Sequence, residues 1–144
     1  MKSGSGPEIS FDHVGIAVNA LDSDVGAYAF WQALGWVADS DPEVVEGQKV
    51  KVAILPLNND SQIELLEPTS NDSPVKKFLD KRGPGIHHLC LRVIGIEAIL
   101  VKLQKAGVKL INETPVPGAH NCRVAFVHPS STGGVLVELS ERNQ

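Results

Sequence analysis

Apolar and polar residues alternate in two stretches far apart along the chain. In "DHVGIAV", Asp12–Val18, the side chains of His13, Gly15 and Ala17 fall on one face and those of Val14, Ile16 and Val18 on the other. The same beat returns in "HHLCLRV", where His88, Cys90 and Arg92 oppose Leu89, Leu91 and Val93. Each stretch reads as a strand. Between and after them the period lengthens. Ile96, Ile99, Leu100 and Leu103 form one helical stripe in "IEAILVKLQKAGV", and "DSDVGAYAFWQALGW" reads as an earlier helix. Asp22 or Ser23 is placed to cap that first helix, and Gly35 and Gly107 suit the left-handed position that closes a helix. Lys102 and Lys105 fall in the last turns of the second, where cations are favoured. "NND", Asn58–Asp60, predicts a hairpin between two strands, and "HPSSTGG", His128–Gly134, predicts its later counterpart. "SNDSP" and "RGPG" punctuate the join between the two halves.

The chain is written twice. His13 matches His88 at a shift of 75 residues, Pro56 matches Pro129 at 73, and Glu64 in "QIELLEP" matches Glu138 in "LVELSER" at 74. The helix-closing glycines agree at 72. Each half therefore reads as strand, helix, then two or three strands.

Size and charge narrow the class. The 144 residues carry 42% hydrophobic and 21% charged side chains, ordinary values for one domain with a proper core. Residues 1–10 read as a flexible lead-in, and 11–144 as a single domain with modules at about 11–70 and 84–141. A net charge of −4 argues against nucleic acid as a partner. No apolar run approaches the ~20 residues that span a bilayer, and "MKSGSGPE" is no secretory signal. Two cysteines, Cys90 and Cys122, are too few for a disulfide framework, so a reducing, cytoplasmic compartment is expected.

The repeat puts chemistry at matched places. A histidine on the first strand and a glutamate on the last recur in each half. If the halves are related by a pseudo-two-fold axis, His13, Glu64, His88 and Glu138 converge. Two imidazoles and two carboxylates suit a divalent transition metal. Glu64 sits between Ile63 and Leu65, and Glu138 between Val137 and Leu139; an inward carboxylate in such company needs a cation or a donor. His87 faces away from His88 and reads as structural. Cys90 reads as a small core residue rather than a fifth ligand.

These stretches, with "VKVAILP", "DSPVKKFLDKRGPGIHHLCLRV", "GVKLI" and "HPSSTGGVLVEL", resemble the vicinal-oxygen-chelate superfamily, and within it the methylmalonyl-CoA epimerases. The resemblance covers almost all of the chain after residue 10. It implies an α+β fold of two tandem βαβββ modules forming a cupped, partly closed mixed sheet around a metal. It also implies His13, Glu64, His88 and Glu138 as ligands of a divalent ion, with Co2+ favoured over Zn2+, Mn2+ or Ni2+. Some family members have Gln where this chain has Glu64. The implied reaction interconverts (2R)- and (2S)-methylmalonyl-CoA by removing the C2 proton and returning one on the other face, through a metal-stabilised enolate. Glu138 is the candidate for one base. In one form of the family a glutamate stands where this chain has Lys51, a residue normally protonated near neutral pH. Glu46, in "VEGQ", is the favoured second base, with Lys51 and Glu43 as alternatives. His120, in "PGAHN", is read as a surface loop residue. Lys76, Lys77, Lys81 and Arg82 form either a CoA phosphate contact or a solvated helix face. The resemblance further implies a homodimer, in the cytoplasm or, in a eukaryote, the mitochondrial matrix.

Two other readings use the same frame. A lactoylglutathione lyase of the glyoxalase I kind shares the proton abstraction, but "DSPVKKFL…GPGIHHL" favours the epimerase. A non-catalytic ligand-binding protein of the superfamily commonly lacks the metal set that this chain retains.

Overall fold

The computed structural model describes residues 8–21, 27–35 and 41–144. The cap expected at Asp22 or Ser23, and most of the expected flexible lead-in, lie outside those residues. The fold is α+β, and the chain forms two compact units: His13–Leu89, and Cys90–Gln144 together with the chain up to Asp12.

The His13–Leu89 unit takes the body of β1 (Ile9–Ala17), then α1 (Ala27–Ala33), β2 (Glu43–Val45), β3 (Val50–Pro56), β4 (Gln62–Pro68), α2 (Pro74–Arg82) and the opening of β5 (Gly85–Val93). Its strands lie in the order β2-β3-β4-β1-β5. β3 and β4 form the expected antiparallel hairpin, with Ile54 opposite Glu64. Their connection turns where the Ser61 amide donates to Asn59 Oδ1 at 3.3 Å. β1 runs parallel to β4, with His13 opposite Gln62 and Gly15 opposite Glu64. A parallel neighbour needs a crossover, and α1 with the β2–β3 segment supplies it.

This register sorts every side chain. Val18, Leu21, Ala53, Leu55 and Leu65 are buried on one face, packed with Ile16, Ile63 and Trp31 of α1. Each of the buried valine and leucine side chains contributes roughly 1.5–3 kcal/mol before chain entropy is counted. The opposite face carries His13, Gly15, Ile54, Gln62 and Glu64. The join between the halves contains α2. Ser73 caps it, its Oγ accepting from the Val75 amide at 3.2 Å, and Pro74 stands in its first turn. Val75 and Leu79 are its buried side.

The other unit holds the rest of β5, then α3 (Ile96–Lys105), β6 (Val116–Pro117), β7 (Cys122–Val127) and β8 (Val137–Arg142). Its order is β5-β8-β7-β6. β7 and β8 pair antiparallel, with Phe126 opposite Glu138. The expected stripe of α3 is its buried side: Ile96 and Leu100, with Ile99 and Leu103, pack against Val93, Ala125, Val127 and Leu139. Gly107 closes the helix at φ 84°, as its position predicted. The start of α3 has no side-chain cap of its own; Glu141 of β8 reaches over instead, accepting from the Gly95 amide at 2.6 Å and the Ile96 amide at 3.3 Å. Those amides, and Arg123 beside them, hold the Glu141 carboxyl below the usual carboxylate range. Asp12 accepts from Arg92 Nε at 2.8 Å and Nη2 at 2.6 Å, a nearly buried ion pair. Among the described residues, no helix is long and apolar enough to cross a membrane.

Candidate metal centre

Strand alternation aims His13 away from the α1 core, and it is only 4% exposed. His88 of β5 is buried to the same degree, and the two rings meet edge to face at 5.2 Å between centroids. Their Nε2 atoms are 3.1 Å apart. Glu64, also buried, brings Oε2 to 3.2 Å from His13 Nδ1. The carboxylate thus meets the ring nitrogen of His13 that His88 does not. Behind His88, the ring lies flat against the backbone of β1 at Gly15. A Cβ on Gly15 would stand 2.3 Å from His88 Cε1 and 2.7 Å from its Nδ1. Glycine at 15 is therefore what lets the two imidazoles come together.

The donors fit a divalent transition ion. Two nitrogens held at right angles by one such ion, each at about 2.1 Å, stand about 3 Å apart. Nε2 of both rings meets that spacing. Next along β4, the buried Oε1 of Gln62, opposite His13, has no hydrogen-bond partner among the described residues. It is a further oxygen donor on the same face.

The remaining site expectations divide. Glu138 is buried on β8 opposite Phe126, on the face away from α3. Lys51 opposes Glu67 and shares the face of Ala53 and Leu55, whereas Glu64 opposes Ile54 on the other face. Register thus separates Lys51 from the side of the sheet that carries His13 and Glu64. Glu43 opposes Val52 on the His13 side, and Glu46 is exposed at the head of a short 3-10 turn, Glu46–Gln48. His120 is exposed and left-handed at φ 56°. The basic run is the outer side of α2: Lys76 pairs with Asp80, and Arg82 lies over the Phe78 ring at 5.7 Å. Cys90 is fully buried, and burial pushes the Cys122 thiol above its ordinary pKa.

The contact that strand alternation did not foresee belongs to His87. Its Nδ1 lies 2.9 Å from Nδ1 of His88.

Comparison with known proteins gives the family. A family model described as "Glyoxalase/Bleomycin resistance protein/Dioxygenase superfamily" matches residues 12–126. The chain belongs to that superfamily. It is 39% identical to the protein YqjC of Bacillus subtilis over 90% of each chain. It is 37% identical to the mitochondrial methylmalonyl-CoA epimerase of Homo sapiens, over 90% of this chain and 72% of that one. The crystal structure of methylmalonyl-CoA epimerase from Mycobacterium tuberculosis superposes with a TM-score of 0.84 at 39% identity, covering 93% of this chain and 88% of the other. Within the superfamily the chain stands among the methylmalonyl-CoA epimerases.

Proposed function

We propose that this protein interconverts (2R)- and (2S)-methylmalonyl-CoA and needs a divalent metal to do so. The relatives named as methylmalonyl-CoA epimerases support the substrate. One observation supports the metal: the buried pair of imidazole Nε2 atoms at 3.1 Å with a buried carboxylate alongside. His13, His88 and, from the repeat, Glu138 are the residues proposed to hold the ion, which we take to be Co2+ before Zn2+, Mn2+ or Ni2+. Glu64, expected as a fourth ligand, meets His13 Nδ1 on the ring edge away from His88 and is proposed to hold that ring. Bound there, a divalent ion supplies Lewis acidity toward the thioester and carboxylate oxygens of the substrate.

The proton work falls to carboxylates of the chain. The C2 hydrogen is acidified by the neighbouring thioester. One glutamate takes it as a proton, and the C–H electron pair moves toward the thioester oxygen, leaving an enolate. A second acid on the opposite face returns a proton to C2 as that pair moves back, so the centre inverts with no net change in atoms. Glu138 is proposed for one face and Glu46 for the other. Lys51, on the sheet face opposite that of Glu64, is not proposed for either role. The enzyme is proposed to act as a homodimer.

The test is C2 exchange in deuterated water. A single epimer of methylmalonyl-CoA should gain deuterium and racemise, and EDTA should stop both until cobalt is restored. Glu138→Gln and Glu46→Gln should each cut turnover by roughly 10^2–10^4-fold while Lys51→Ala and Glu43→Gln leave it intact. Exchange that survives metal stripping would remove the metal from the proposal. Turnover of the methylglyoxal–glutathione adduct without exchange of methylmalonyl-CoA would replace the substrate.

A further inference from the structure

We propose that His87 is a positioning residue that fixes the proton and the orientation of His88 for metal ligation. The inference rests on the metal reading above, and its first observation is a chain of contacts within one unit. Glu64 Oε2 lies 3.2 Å from His13 Nδ1, His13 Nε2 lies 3.1 Å from His88 Nε2, and His88 Nδ1 lies 2.9 Å from His87 Nδ1.

The assignment of protons follows from the chemistry of imidazole. A neutral ring has one N–H and one lone pair. For both Nε2 atoms to face a single cation, both must present lone pairs, so each ring carries its proton on Nδ1. His13 Nδ1–H then donates to Glu64, and His88 Nδ1–H donates to Nδ1 of His87. His87 must accept there, so its own proton sits on Nε2. The two ligand rings are thus held from behind in the same way, one by a carboxylate and the other by an imidazole.

His87 is itself held. Its ring meets Phe78 of α2 edge to face, with centroids 5.1 Å apart and planes at 79°. Arg82, one turn further along α2, covers Phe78 at 5.7 Å from its centroid. The helix in the join between the two halves therefore acts as a backstop for the accepting nitrogen. Acceptance at Nδ1 is the part of this arrangement that only some side chains can supply. Asparagine places an amide oxygen where His87 has Nδ1; phenylalanine keeps the ring against Phe78 and offers no acceptor.

The experiment compares His87→Phe with His87→Asn in the full-length protein. Cobalt affinity is read by titrating the metal-stripped protein and following the visible absorption of bound Co2+. Far-UV circular dichroism and the thermal midpoint in EDTA show that each variant is folded. His87→Phe should bind cobalt about 10–100-fold more weakly and shift the visible band, as expected when the outer partner of a ligating histidine is lost. His87→Asn should stay within about threefold of the parent and keep its band. The inference is overturned if His87→Phe binds as the parent does, or if both variants weaken alike, which would reduce His87 to packing. A parent protein that binds no cobalt, checked beside His88→Ala, would instead bring down the metal reading itself.

Discussion

Gly15 and Cys90 occupy the same place in the two halves, two residues beyond His13 and His88. Their fates differ. Cys90 is a fully buried small side chain. Gly15 has none, because the ring of His88 fills the space where a Cβ would be. The cross-strand pairs tell the opposite story. Ile54 faces Glu64 in one hairpin and Phe126 faces Glu138 in the other, each acid on the face turned away from its helix. The duplicated frame kept its acids in matching registers, and the positions around the imidazoles diverged. Symmetry of the scaffold therefore identifies the candidate ligands, while asymmetry identifies what packs them.

The most severe way to break this comparison is Gly15→Ala. One methyl group should push the His88 imidazole off its place and weaken cobalt binding by about a hundredfold or more, with a stability loss of about 1–3 kcal/mol from overpacking. Cys90→Ala at the matching position should keep cobalt binding near that of the parent. Equal cobalt affinities for the two variants, by titration, would mean that the Gly15 contact has no bearing on the site. Next in size is Arg92→Met. It strips the guanidinium from the nearly buried Asp12 carboxylate and should cost about 3 kcal/mol by urea denaturation. The double variant Asp12→Asn with Arg92→Met should recover part of that loss. The smallest effect is expected at Glu141, whose carboxylate caps α3 from β8. Glu141→Gln should lower stability by about 1 kcal/mol at pH 7. The folded carboxyl sits below its unfolded value, so the stabilisation is complete above the unfolded carboxylate range and fades as pH falls through the folded value. The gap between parent and variant in urea midpoint should therefore close on going from pH 7 toward pH 3.

Much of this was readable from spacing. Period-two alternation places His13 and His88, and helical spacing gives the buried side of α3, because both follow from backbone geometry. The turns at Asn58–Asp60 and His128–Gly134 were marked by residues that favour them. Three features were not. The join reads mainly as punctuation, with a helix only as one of two readings of its basic run, yet its Ser73–Pro74 pair starts a nine-residue helix. The face of Lys51 depends on how the hairpin pairs, and only the Ile54–Glu64 register settles it. His87 looked averted from His88, since neighbours on a strand point to opposite sides. An imidazole Nδ1 lies close to its own backbone, however, and the two rings turn enough to touch. Face-counting tracks Cβ directions and misses contacts made so near the main chain.

The pairing of β3 with β4 has one more consequence. Ile63, Glu64 and Leu65 are consecutive, so sliding β4 by a single residue would swing Glu64 into the oily layer under α1 and turn Leu65 out toward the histidines. No halfway arrangement satisfies both sides. A molecule that mispairs this hairpin loses its interior together with its acid, so an error in this register costs stability and chemistry at once.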